Sequence, residues 1–139
     1  MSFSTRGRYA LRLMLDIVEN SNGEFVSLQE ISDRQGFSQK YLQSIVPSLV
    51  EGGVLTSKKG KSGGYMLSRK PEEISAYEVL SLAEGNISPV ACLSENEEEC
   101  GKTCSCSARS VWIGLEDTME SYLKNVSLKD IFEKNLGDI

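Results

Sequence analysis

Along most of this chain apolar residues return every three to four positions, and the places where that rhythm breaks divide it into elements. Ala10, Leu13, Met14, Ile17 and Val18 share one face of a helix predicted over about 5–19, with Ser4 or Thr5 as its cap and the polar stretch 20–23 as its end. Ser27 precedes a second, short helix over 28–35 whose apolar side carries Leu28 and Ile31. Glu30, three residues on, stands where the reciprocal member of a capping box belongs. Gly36 and Phe37 interrupt the pattern before Ser38 opens a third helix, with Leu42, Ile45, Val46 and Leu49 in a single stripe. Pro47 lies inside that stripe and predicts a kink or a shortened helix, because proline lacks an amide and crowds the preceding turn.

Past Gly52 and Gly53 the period changes. Residues 54–56 and 65–67 read as two strands, and 58–64 as a glycine-rich basic turn between them, a β-hairpin wing. A further helix is expected over about 76–83, capped by Ser75 and ended by Gly85. A long amphipathic helix near 108–125 follows, turning Val111, Trp112, Leu115, Met119, Tyr122, Leu123 and Val126 one way, and Ser127 caps a last short helix ending near Asn135. The expected fold is mainly α: a winged helix-turn-helix with a β-hairpin wing and a long C-terminal dimerisation helix. Its divisions are a DNA-binding domain over 1–84, a cysteine-rich loop over 85–107, and the dimerisation and C-terminal helices over 108–139. The long helix has more apolar surface than a small winged domain covers from within, which points to a homodimer.

A helix, a tight glycine-bearing turn and a second helix form the arrangement that lays its second helix in the major groove of double-stranded DNA. Ser38, Gln39, Lys40, Tyr41, Gln43 and Ser44 lie off the apolar stripe and are the candidates to meet base edges. Lys58, Lys59 and Lys61, with Ser62 and Gly63, are the wing's candidates for phosphate or minor-groove contact. The competing readings are a plain helical hairpin and a solvated lysine turn. A nucleotide-binding loop is disfavoured, since no Gly-Lys-Ser/Thr opens a helix after a strand.

The formal net charge of −5 argues superficially against nucleic acid, but the charge is unevenly spread. Up to Pro71 there are ten Lys or Arg against six Asp or Glu, a net of +4; beyond it five stand against fourteen, a net of −9. The local field of the docking face governs counterion release, so the basic half is where DNA is expected.

Cys92, Cys100, Cys104 and Cys106 are the only cysteines, gathered around an acidic run at Glu97, Glu98 and Glu99, and the chain has no histidine. Such clustering points to a metal or redox centre rather than to thiols used as small core residues. No stretch approaches the roughly 18 apolar residues of a membrane span, and the N-terminus leads into no long apolar region. The expectation is a cytoplasmic protein that meets no membrane, in a reducing setting that favours thiolate ligands over structural disulfides. Zinc is the main alternative, although its usual ligand pairs with two residues between them are absent. A redox disulfide is another. Without histidine or a paired acid and base, an enzyme is not expected.

Ser4-Thr5-Arg6-Gly7-Arg8-Tyr9-Ala10, Tyr41-Leu42 with Gly53-Val54-Leu55, the wing Gly60-Lys61-Ser62-Gly63-Gly64-Tyr65, and Cys106 followed by Trp112 together resemble the Rrf-two (BadM/IscR) family of bacterial winged-helix regulators. The resemblance covers nearly the whole chain. It implies a homodimeric transcription repressor that binds an inverted-repeat operator under control of an iron-sulfur cluster, with [2Fe-2S] favoured, governing iron-sulfur biogenesis genes. The family's cluster-binding branch uses three cysteines and a histidine, and the matching cysteines are Cys92, Cys100 and Cys106. Cys106 stands six positions before Trp112 and six after Cys100, as that branch's third cysteine does. Arg109, a permanent cation that cannot ligate iron, holds the histidine position, and Cys104 is the nearest candidate for a fourth ligand. The family's other readings are a nitric-oxide or redox sensor and a cluster-free cysteine-metabolism repressor. The first takes a carboxylate ligand where Arg8 stands here, and four clustered thiols count against the second.

Overall fold

The computed structural model describes residues 3–89 and 107–134. Within them the elements run α1 (Thr5–Asn20), α2 (Leu28–Gln35), α3 (Gln39–Glu51), β1 (Leu55–Lys58), β2 (Gly64–Leu67), α4 (Ala76–Glu84), α5 (Arg109–Lys124) and α6 (Leu128–Phe132), with one 3-10 turn at Pro71–Glu73 that the periodicity does not foretell. The architecture is the expected mainly helical one with a two-stranded antiparallel hairpin.

Local chemistry sets most of the helix starts. Ser27 accepts a hydrogen bond from the Glu30 amide at 3.1 Å while the Ser27 amide donates to Glu30 Oε2 at 2.9 Å, so the capping box is complete. Ser38, Ser75 and Ser127 likewise accept from the amides of Tyr41, Glu78 and Asp130. Each such cap is worth about 1 kcal/mol over alanine. Gly36, at φ 75°, takes the left-handed conformation that closes α2 and turns the chain toward α3.

The start of α1 differs from the expectation. Ser4 occupies the cap position, but its side chain makes no capping bond; the Glu84 carboxylate at the end of α4 accepts from the Ser4 and Gly7 amides instead. Pro47 does not end α3, which continues to Glu51. The residue one turn back, Gln43, and Pro47 itself are both exposed, so water reaches the carbonyl that the missing amide leaves unbonded.

Leu13, Met14 and Ile17 of α1 meet Ile31, Leu42, Ile45 and Leu49 of the helical pair in one core, which also takes in Leu55, Ile74, Val79 and Leu128, all at most 2% exposed. Fully burying a side chain such as Leu128 stabilises by about 1.5–3 kcal/mol, which seats α6 firmly on the winged portion. Hydrogen bonds from Ala76 N to Val126 O at 2.7 Å and from Leu128 N to Ile74 O at 2.9 Å fasten the same junction.

The first strand starts one residue later and ends two later than the periodicity suggests, and the second starts one residue earlier and ends at Leu67 as expected, pairing Leu55 with Leu67 and Lys58 with Gly64. Val54 is held outside the ladder because its amide donates to Leu49 O at the end of α3. The hairpin is also stitched to the α1–α2 loop: Val26 N donates to Tyr65 O at 2.9 Å and Tyr65 N to Val26 O at 2.8 Å.

In contrast to the other long helices, α5 buries no residue completely. Trp112, Leu115, Met119 and Leu123 are half-covered, whereas Val111 (63%), Tyr122 (50%) and Ile113 (39%) face outward. The apolar face expected of this helix is thus split between an inward and an open side.

Candidate nucleic-acid interface

The turn between α2 and α3 is built on Phe37, which is 7% exposed. Tyr9 of α1 stacks on it with ring centroids 3.7 Å apart, Tyr41 meets Tyr9 edge-on at 5.4 Å, and the Arg12 guanidinium lies 4.3 Å from the centre of the Phe37 ring. Ser32 Oγ donates to Phe37 O. These contacts leave the turn little freedom and so fix where α3 begins.

A polar network ties α1 to α2 beneath that turn. Asp16, 2% exposed, accepts from Arg34 Nη2 at 2.7 Å and Nε at 3.1 Å and from Gln35 Nε2 at 2.9 Å. Arg12 in turn donates to Gln35 Oε1 from both Nε and Nη2. A buried carboxylate is tolerated only when its lone pairs are met in this way, and the bidentate fork of Arg34 meets them. The hydrogen bond to Asp16 raises the Arg34 guanidinium above its ordinary pKa.

On this frame the candidate residues of α3 fall on two sides. Ser38, Lys40, Tyr41 and Ser44 surround an open cleft at the start of the helix together with Thr5 and Tyr9 of α1. Gln43 lines a separate groove, with Pro47, Glu51, Ser57 and Tyr65, between α3 and the wing. Ser38, Lys40, Gln43 and Ser44 are exposed, whereas Gln39 and Tyr41 are half-buried. Tyr41 serves the aromatic frame as well as the surface.

The wing divides too. Lys58, Lys61, Ser62 and Gly63 line a cleft against Phe25, Ser27 and Glu30, and Lys58 Nζ sits 5.6 Å from the centre of the Phe25 ring. Lys59 is exposed. The tip is a tight turn in which Gly63 N donates to Gly60 O at 3.0 Å, and a Cβ at Gly63 would stand 2.2 Å from the Lys58 carbonyl. Glycine there is what allows so short a reversal.

Sequence reasoning missed Thr5, Tyr9 and Phe25 as neighbours of the candidate site. The available signal was Phe37, a large aromatic in a turn, which needs apolar partners from elsewhere. Cys92, Cys100, Cys104 and Cys106 lie outside the described residues. Among the described residues no group of three His, Cys, Asp or Glu side chains is placed to hold a metal ion. On either side of the cysteines, Ser88 Oγ donates to Glu116 Oε1 of α5 at 2.7 Å and Arg109 opens α5.

Comparison with known proteins bears directly on this arrangement of helical pair and wing. Residues 3–134 match Rrf2, iron-dependent transcriptional regulators. The chain belongs to the Rrf2 family. It is 35% identical to the protein rrf2 of Nitratidesulfovibrio vulgaris over 94% of this chain and 87% of that one. It is 31% identical to the HTH-type transcriptional regulator IscR of Escherichia coli over 94% and 80%. Among solved structures, CymR, the global cysteine regulator of B. subtilis, superposes with a TM-score of 0.78 at 30% identity, covering 96% of this chain and 98% of that one. The T. potens IscR gives 0.75 at 26% identity, over 97% and 88%. As a member of the Rrf2 family the protein is a DNA-binding transcriptional regulator and not an enzyme. Among the described residues no helix is long and apolar enough to cross a membrane.

Proposed function

We propose that this Rrf2-family regulator is a homodimeric repressor whose grip on an inverted-repeat operator depends on an iron-sulfur cluster held by Cys92, Cys100 and Cys106. The observation that carries this reading is the gathering of all four thiols in the stretch that joins α4 to α5. The donor set fits such a centre: thiolates are the preferred ligands of iron-sulfur clusters, and four are available in a chain without imidazole. Arg109 cannot serve as a ligand, so Cys104 is assigned the fourth position. Lys102 lies between Cys100 and Cys104 in sequence and offsets the negative charge of a thiolate-bound core. When bound, the cluster supplies an occupancy that follows iron, sulfide and oxidant supply.

The chain's own residues do the rest. Ser38, Gln39, Lys40, Tyr41, Gln43 and Ser44 are assigned to base edges and the adjoining backbone. Lys58, Lys59, Lys61, Ser62 and Gly63 are assigned to the neighbouring groove wall. Lys59 is exposed, whereas the Lys58 ammonium lies over the Phe25 ring, so Lys59 is assigned a stronger phosphate contact than Lys58. Val111, Ile113 and Tyr122 on the open side of α5 are assigned to the second copy, since an exposed apolar stripe on a DNA-binding fold suits an isologous contact. Two heads held at fixed spacing then match two half-sites one helical repeat apart. Regulation of iron-sulfur biogenesis genes is the corresponding biological role.

Anaerobic purification with an absorption spectrum and iron and sulfide counts tests the reading. We expect visible charge-transfer bands that Cys92→Ala removes, together with altered operator binding in that variant. A specific observation favours a second reading: the likeness to CymR at a TM-score of 0.78. Protein that is colourless and iron-free, even after reconstitution, would replace the cluster-dependent repressor with a cluster-free regulator of that kind.

A further inference from the structure

The first turn of α1 touches two elements at once. Arg6 Nε donates to Ala83 O at 2.9 Å, in the last turn of α4, and Arg6 Nη2 donates to Ser44 O at 2.9 Å, on α3. One planar guanidinium therefore spans from a carbonyl at the end of α4, which has no helical amide to accept from, to the backbone of the helix assigned to the major groove. From the other direction, Glu84 Oε1 accepts from the Ser4 amide at 2.8 Å, from Ser4 Oγ at 2.8 Å and from the Gly7 amide at 3.1 Å. A carboxylate on the free amides of a helix start is favoured by hydrogen bonding and by the helix dipole together. Gly7 is required for the approach, because a Cβ there would stand 2.2 Å from Glu84 Oε1.

These contacts form a closed loop: α4 holds α1 through Glu84, and α1 holds α3 and α4 through Arg6. Glu84 is the last residue of α4, and the chain leaves it through Gly85 toward the cysteines. We infer that Arg6 and Glu84 are positioning residues for DNA binding, which couple the end of α4 to the recognition helix through the first turn of α1. Arg6 is then a basic residue that acts on DNA without touching phosphate. The inference rests on the proposed regulatory role of the cysteine stretch only for what drives the coupling, not for the coupling itself.

Gly7→Ala tests it most cleanly. The atoms it displaces belong to the flexible end of Glu84, so the helix keeps its fold while the carboxylate is pushed off. Hydrogen exchange on the full chain is expected to speed up at the amides of residues 42–44 in Gly7→Ala and in Glu84→Gln. Adding Glu84→Gln to Arg6→Gln should give no further change. In gel shifts with a duplex selected by the protein from a random library, Arg6→Gln is expected to weaken binding about tenfold, with Arg6→Lys restoring part of it. The slope of log affinity against log salt should stay unchanged, whereas loss of a phosphate contact lowers it by about one. Unchanged exchange at residues 42–44 in both Gly7→Ala and Glu84→Gln, or a salt slope that falls by one in Arg6→Gln, would overturn the inference. Equal DNA affinity of cluster-loaded and cluster-free wild-type protein would instead defeat the proposed regulation, while the exchange data still decide the coupling. If regulation holds, the ratio of those two affinities, about 5- to 150-fold for typical coupled sites, should drop below about twofold in Arg6→Gln.

Discussion

Neutralising Asp16 attacks the contact that orients the helical pair on α1. In Asp16→Asn one carboxylate oxygen becomes an NH2 group, which faces the donors of Arg34 or Gln35 rather than an acceptor. Breaking a buried ion pair by removing one partner costs about 3–5 kcal/mol. That figure is too large here, because the Arg34 side chain is 36% exposed against 1% for Asp16, so the freed guanidinium regains water. What remains is the loss of two charge-assisted hydrogen bonds and the burial of a mismatched amide, together about 2–3 kcal/mol. Urea unfolding followed by circular dichroism measures it directly. In a thermal scan the same loss lowers the midpoint by about 6–12 °C for a chain of this size. Arg34→Ala should cost more, toward the full 3–5 kcal/mol or so, because it strips the guanidinium from a carboxylate only 1% exposed, and the double variant should fall short of the summed single effects by at least about 1 kcal/mol. A single-variant loss below about 0.5 kcal/mol, or strict additivity, would show that the pair does not hold α2 against α1.

The remaining predictions concern the wing, the bases and the open helix. Lys59→Ala is expected to weaken binding to all duplexes alike and to lower the salt slope by about one, whereas Gln43→Ala should alter base preference in a selection from random sequence. Gly64→Ala places a side chain at φ 147° and 2.3 Å from the Val26 carbonyl; we expect at least about 2 kcal/mol lost in urea unfolding and a wing that releases from the α1–α2 loop in hydrogen exchange. Val111→Lys combined with Tyr122→Lys should convert a dimer to a monomer in light scattering without lowering the unfolding midpoint of the isolated chain, since both side chains are exposed. A variant that remains dimeric would move the second copy to another surface.

What was legible in the sequence is what local chemistry decides. The serine caps at 27, 38 and 75 announce helices because a hydroxyl one to three residues from free amides has few other uses, and the stripe Leu42, Ile45, Val46, Leu49 names the buried side of α3 directly. The helical pair and wing followed, and with them the family. Contacts between distant residues were not legible. Nothing near Ser4 indicates that its helix is capped by a carboxylate 80 positions away, and nothing in Val26 announces its partner Tyr65. Asp16 gave a partial signal, a charge on the inward arc of α1 between Leu13 and Ile17, which demanded a partner without naming Arg34. Pro47 misled because its cost depends on whether the carbonyl it orphans faces solvent, a matter of tertiary placement. The six residues assigned to base edges are consecutive in sequence but for the buried Leu42, yet Gln43 opens on a different groove from Ser38, Lys40 and Ser44.

The pair of hydrogen bonds between Val26 and Tyr65 makes the wing a stiff finger rather than a loose flap, since it adds a third backbone neighbour to the hairpin's four residue pairs. If the wing meets DNA as proposed, a finger that does not yield leaves the bending to the duplex. Operators whose bend costs little beside the tip, such as those with pyrimidine–purine steps there, would then gain affinity at positions no side chain reads.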